Sequence, residues 1–128
     1  MIAVIDTDVM IDFQRGIPAA LAWFESLDTL PLLPGLVAME LLQGAQNSAH
    51  LQIAEKLIEP FTIVWPTAHD CHTALAHFRA FHLSHRLGLI DSMISATCIG
   101  LNATLLTFNQ KHYLPVPGLK TTQPYLKP

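Results

Sequence analysis

Three carboxylates stand in stretches of this chain that carry almost no other charge. Asp6 follows the apolar run Ile2-Ala3-Val4-Ile5, Glu40 is the only Asp, Glu, Lys or Arg between Asp28 and Glu55, and Asp91 is the sole charge from Gly88 to Leu106. Taken singly, each has an ordinary reading. Asp6, or Asp8 two residues on, suits the N-cap of a following helix, and Asp91 suits a first helical turn, where the helix dipole favours an acid. Glu40 is harder to place. Leu36-Val37-Ala38-Met39-Glu40-Leu41-Leu42 has the all-round apolarity of a buried helix, in which an uncompensated carboxylate is expensive. Brought together, three carboxylates without a basic neighbour would raise one another's pKa unless a cation neutralised them. Hard oxygen donors favour Mg²⁺ or Mn²⁺, and such a site can activate water and stabilise the oxyanions of an in-line attack on a phosphodiester.

The elements that must bring these residues together follow from the apolar pattern. Residues 2–5 read as a buried strand that delivers Asp6 to the carboxyl edge of a sheet, where open α/β sheets bind ligands. A short helix through Val9 to Phe13 ends at Arg15-Gly16, a second runs from Pro18 to Leu27, and a brief strand spans Leu30 to Leu33. Gly35 opens the helix that carries Glu40, stopped by Gly44. Leu51 to Ile58 is helical, and Phe61 to Trp65 is a third strand. Thr67 and Asp70 have the spacing of a capping box, with Asp in place of Glu, ahead of a helix reaching Ser84-His85-Arg86. Leu89 to Ile99 is a helix ended by Gly100, Ala103 to Phe108 a strand, and Val116 to Leu119 leads an edge segment before a loose tail over about 120–128. Strands alternating with helices predict one α/β domain over 1–128 with a mainly parallel sheet and helices on both faces.

Composition excludes several classes. The chain has 128 residues, 51% of them hydrophobic and 13% charged, yet no run approaches the roughly 18 apolar residues of a membrane span. Neither a signal peptide nor a membrane location is expected. A cytoplasmic protein with apolar surface left for a partner is. Cys71 and Cys98 form no CxxC pair and read as small core hydrophobes. The net charge of −3 means that a nucleic acid would have to be met by local basic groups or through metal ions. Arg15, Arg86 and Lys111 are the basic residues nearest the acids, although surface solvation is the commoner role of such residues. His69 and His72, and again His82 and His85, are three apart, but no third ligand completes a metal site.

These residues resemble a known family, the PIN-domain ribonucleases, and in particular the VapC-type toxins of bacterial type II toxin-antitoxin systems. The resemblance spans nearly the whole chain. It lies in Asp6-Thr7-Asp8-Val9-Met10-Ile11-Asp12, Met39-Glu40-Leu41-Leu42-Gln43-Gly44, Gly88-Leu89-Ile90-Asp91-Ser92-Met93-Ile94-Ser95-Ala96, and Leu105-Leu106-Thr107-Phe108-Asn109 leading to His112-Tyr113. It implies a three-layer α/β/α sandwich and Mg²⁺-dependent, or Mn²⁺-dependent, endonucleolytic hydrolysis of structured RNA such as tRNA. It also implies a homodimer and a cognate antitoxin. The family's metal-binding acids fall on Asp6, Glu40 and Asp91. Its fourth position falls on Asn109, whose neutral carbonyl puts a tightly held second metal in doubt. Thr7, Asp8 and Ser95 are candidates to support the acids, with a helix cap as the competing role of Asp8 and a local backbone bond that of Thr7.

Three rivals share parts of the pattern. A haloacid-dehalogenase-like phosphatase would use Asp6 as a covalent nucleophile but leaves Glu40 unexplained. A phospho-acceptor receiver domain needs an Asp after the third strand, where Trp65-Pro66 stands. A degenerate PIN domain that only binds is favoured by Asn109 and opposed by the three acids retained.

Overall fold

In a computed structural model, which describes residues 1–127, five short parallel strands form the centre of the molecule. The chain runs β1 (Ala3–Ile5), α1 (Thr7–Gln14), α2 (Pro18–Glu25), β2 (Leu33–Pro34), α3 (Gly35–Gln43), α4 (Ser48–Ile58), β3 (Ile63–Val64), α5 (Ala68–His85), α6 (Leu89–Leu101), β4 (Thr104–Leu106), α7 (Gln110–Tyr113) and β5 (Lys120–Thr122). β1 pairs with β4 and β4 with β5, β2 pairs with β3, and all pairs are parallel. The two groups meet at a bridge between Val4 and Leu32, with Leu32 N–H donating to Ala3 O at 2.8 Å and Ile5 N–H to Leu32 O at 3.0 Å. The strand order is therefore β3-β2-β1-β4-β5.

Right-handed crossovers send successive helices to one face while the strands step from β1 to β3, and to the other once the chain crosses to β4. The packing agrees, since α1 touches α2 and α3, α3 touches α4, and α5 lies along α6. The result is the expected three-layer α/β/α sandwich. Val4, Ile5, Leu33 and Leu105 are fully buried at its centre, with Val9, Met10, Val37, Ile94 and Cys98 closing over them. The order reverses between β1 and β4, which opens a crevice at their carboxyl ends. The register sets Ile5 opposite Leu106, so Asp6 and Thr107 emerge side by side.

Several local expectations change for physical reasons. α4 starts at Ser48 because the Asn47 side chain accepts from His50 N–H at 2.9 Å. Gly100 does not end α6. The helix runs to Leu101 and stops at Asn102, which takes the left-handed conformation (φ 52°), while Gly100 allows a close crossing in which any Cβ would collide with the Asp70 carboxylate. That carboxylate is fixed by the capping box with Thr67, both of whose bonds are present at 3.0 Å. α3 is less buried than its apolarity predicts. Met39 is 56% exposed and Glu40 is half-buried, so part of the apolar surplus lies on the surface.

The tail anticipated as loose over 120–128 is instead structured through residue 127. Lys120–Thr122 is the edge strand β5, and Tyr125 OH donates to Asp12 Oδ2 at 2.8 Å, on α1. The Tyr125 ring meets Phe108 edge-on, with centroids 4.9 Å apart, and Lys127 lies 4.3 Å above Phe108 and 3.3 Å from Asp12. Aromatic packing and a charge-assisted bond outweigh the weak local propensity of this Pro-rich segment. Tyr125→Ala should accordingly lower stability by about 2 kcal/mol, measured by urea denaturation.

Candidate active site

Asp6 occupies two roles at once. Its backbone is extended (φ −86°, ψ 164°) and its Oδ1 accepts from Thr7 N–H at 2.8 Å, so it is the N-cap of α1. Its Oδ2 accepts from Thr107 Oγ1 at 2.8 Å and from Tyr113 OH at 3.0 Å. The residue is only 3% exposed. Burial, and after it the negative charge of Asp8, push its pKa up to about 6, against the opposing pull of the Thr107 and Thr7 hydrogen bonds.

Asp91 reaches the same place from α6. It is the third residue of that helix, and its Oδ2 turns back to accept from Gly88 N–H at 3.3 Å, half of a capping box. Its Oδ1 lies 3.1 Å from the Tyr113 hydroxyl that also touches Asp6. Glu40 enters from α3, where Thr7 Oγ1 donates to its Oε1 at 2.7 Å. It lines a groove of ≈ 390 Å³ together with Leu36, Met39, Gln43 and Ile90. At the switch point of the sheet Tyr113 thus links Asp6 to Asp91, and Thr7, whose N–H caps onto Asp6, links Asp6 to Glu40.

The other candidates divide. Asp8 accepts from Phe108 N–H at 2.9 Å, joining α1 to the segment after β4, while its Oδ1 is buried without a partner; burial raises its pKa. Asn109 is exposed. Its backbone N–H donates to Thr107 Oγ1 at 3.0 Å, and its amide makes no hydrogen bond among the described residues. Ser95 is fully buried but donates to the Ser92 carbonyl at 3.0 Å and to no acid, so its hydroxyl serves the helix. Arg15 caps the far end of the eight-residue α1, roughly 12 Å from Asp6 along the axis, which removes it from the acidic crevice. Arg86, two residues before Gly88, and Lys111, on α7, are exposed.

Sequence reasoning missed the two hydroxyls that organise the site, Thr107 and Tyr113. Thr107 was findable as the residue after β4, level with Asp6 after β1. Tyr113 carried no local sign, because its reach depends on where α7 docks. Lys127, held beside Asp12, was missed with the tail.

The only ion pair among the described residues is Lys127 with Asp12. Asp6, Glu40 and Asp91 therefore have no side-chain cation as counter-charge. Among the described residues no three His, Cys, Asp or Glu side chains are already gathered into one coordination shell, yet the donor set fits a hard divalent ion. It consists of three carboxylates, each held by at least one neutral donor and each with acceptor capacity left, on Oδ1 in the case of Asp6, whose Oδ2 already accepts two bonds. Gly88 is part of that fit, since a Cβ there would lie 2.9 Å from Asp91 Oδ2. Gly88→Ala should displace the carboxylate and cost about 10-fold in activity with little change in thermal stability, a split read by kinetics beside a melting curve.

Comparison with known proteins agrees with this geometry. A family model described as the PIN domain matches residues 3–114. Ribonuclease VapC10 of Mycobacterium tuberculosis is 30% identical over 118 residues, covering 91% of this chain and 89% of the relative. Ribonuclease VapC19 of the same species is 31% identical over 122 residues, covering 91% and 95%. Among solved structures, a toxin-antitoxin complex from Klebsiella pneumoniae superposes with a TM-score of 0.78 at 24% identity, over 96% of this chain and 98% of that one. VapBC-1 from nontypeable Haemophilus influenzae gives 0.77 at 20% identity, over 97% and 98%. At such identities the structures speak for the fold alone, and the family follows from the domain match and the two relatives. An acidic crevice at the β1/β4 switch point, a PIN-domain match over nearly the whole chain and these two relatives place the chain in the PIN-domain family, among the VapC ribonucleases.

Proposed function

We propose that the protein is a divalent-metal-dependent endoribonuclease, the toxin of a toxin-antitoxin pair, acting on structured RNA such as tRNA. The observation that carries this reading is the linkage of Asp6 to Asp91 through Tyr113, and of Asp6 to Glu40 through Thr7, with no ion pair from these three to a basic side chain among the described residues. Asp6, Glu40 and Asp91 would hold Mg²⁺, or Mn²⁺ in its place. When bound, such an ion supplies Lewis acidity toward phosphate oxygens and makes water a competent nucleophile near neutral pH. The chain's own residues do the rest. Thr7 and Thr107 fix the carboxylates by donating to them, the α1 cap orients Asp6, and exposed Asn109, Arg86 and Lys111 would be the side chains available to phosphates. A covalent role for Asp6 fits poorly, since both of its oxygens are engaged and it is almost wholly buried.

Two apolar surfaces suit the partners. One is a groove of ≈ 440 Å³ lined by Phe13, Leu21, Phe24, Leu57 and Phe61, which suits an antitoxin segment. The other, around Leu75, Leu89 and Met93 beside the acidic groove, suits a second copy of the chain. No helix among the described residues is long and apolar enough to cross a membrane.

The test is cleavage of tRNA and other structured RNAs by protein freed of co-purifying partner. It should require Mg²⁺ or Mn²⁺, stop with EDTA and fail in Asp6→Asn. Cleavage persisting under both conditions would overturn the mechanism.

A further inference from the structure

Tyr113 is 2% exposed, its ring is part of the hydrophobic core, and its hydroxyl is, among the described residues, the one side-chain group that touches two of the acids. Asp6 has a second side-chain donor in Thr107. Asp91 has none, since its other bond comes from the Gly88 backbone. A phenol carries one proton and can donate to one carboxylate at a time, so the oxygen that satisfies Asp6 at 3.0 Å stands against Asp91 at 3.1 Å. With both acids ionised, as they are above the raised pKa of Asp6, a positive charge shared between them relieves both together. Packing explains the ring but not the oxygen, because phenylalanine would fill the same space.

Resting on the metal-dependent reading above, we propose that the Tyr113 hydroxyl is a positioning group that turns the Asp6 and Asp91 carboxylates toward each other and so sets the affinity of the site for divalent cations. It acts through the acids and does not itself touch substrate. Neutral donors behind metal ligands commonly control affinity by 10-fold to 100-fold. The position is unusual in its supply, because the hydroxyl arrives on the four-residue helix α7, 107 residues from Asp6 and 22 from Asp91. It thereby ties the two ends of the site to a third element.

Calorimetric titration of the whole chain with MnCl₂ and MgCl₂ alone tests this, comparing wild type, Tyr113→Phe and Thr107→Val. Tyr113→Phe should bind Mn²⁺ about 10-fold or more weaker while melting in EDTA within a few degrees of wild type. Thr107→Val, which leaves Asp91 untouched, should weaken binding less. RNA cleavage by Tyr113→Phe should recover as metal is raised, with KM for RNA unchanged, a rescue that a merely structural role would not give. Equal Mn²⁺ affinity in wild type and Tyr113→Phe would overturn the role of the hydroxyl and leave the metal site standing. Absence of binding in wild type would overturn the metal site and the Tyr113 role with it.

Discussion

Asp6→Asn should abolish RNA cleavage, by about 10³-fold or more, and at the same time make the metal-free protein more stable. The two effects share one cause. Asp6 is buried beside Asp8 and Asp91 with no cation in reach, and its pKa is pushed up to about 6. Relative to the ordinary 3.8, that shift amounts to about 3 kcal/mol of destabilisation at neutral pH. Asparagine keeps the N-cap and the shape but carries no charge, so it should recover much of this, a rise of roughly 5–10 °C in melting temperature for a domain of this size. It can no longer supply an anionic ligand. A loss of activity without any gain in stability in EDTA would show that Asp6 is better compensated than its surroundings indicate.

The second large effect is on pH dependence. A carboxyl group whose folded pKa is raised binds its proton more tightly in the native state than in the unfolded chain. Its contribution to stability is therefore fullest below about pH 4 and is lost as pH rises toward about 6, after which it is flat. Asp8, also raised by burial, acts in the same direction. In EDTA, the stability of wild type relative to Asp6→Asn should fall by about 3 kcal/mol over that window. Subtracting the variant removes the groups that titrate independently of Asp6, and leaves Asp6 with the Asp8 and Asp91 charges coupled to it. Millimolar Mg²⁺ should restore the loss above pH 6 in wild type only, by about 2.7 kcal/mol when the ion is at 100 times its dissociation constant. Urea denaturation at stepped pH, with and without Mg²⁺, reads both parts. A difference between the proteins that does not change with pH would contradict the burial of an ionised Asp6.

Glu40 and Asp91 stood out in the sequence as lone charges in apolar helices and Asp6 as the acid that ends an apolar strand, and the alternation of strand and helix was enough to forecast the sandwich. The expected burial of Glu40 does not match the structure. Apolarity of α3 indicated burial, whereas Met39 and Glu40 face an open groove, because sequence pattern does not separate a core face from one left for a partner. Gly100 was mistaken for a helix stop since a glycine needed for close packing against Asp70 looks the same in one dimension. Tyr113 and Tyr125 escaped for a further reason. Their hydroxyls act on residues more than a hundred positions away, and only the tertiary fold decides which distant tyrosine points at which acid.

Those same separations bear on when the protein becomes active during its synthesis. Asp6 is synthesised well before the hydroxyls that hold it, which belong to positions 101 and 107 residues later. Closing so long a loop requires the strand β4 and helix α7 to exist and dock, and contacts of that span form late in folding. A growing chain that ends before β4 exposes its acids without their donors. A ribonuclease whose acids wait on such late contacts is thus unassembled until β4 and α7 have docked.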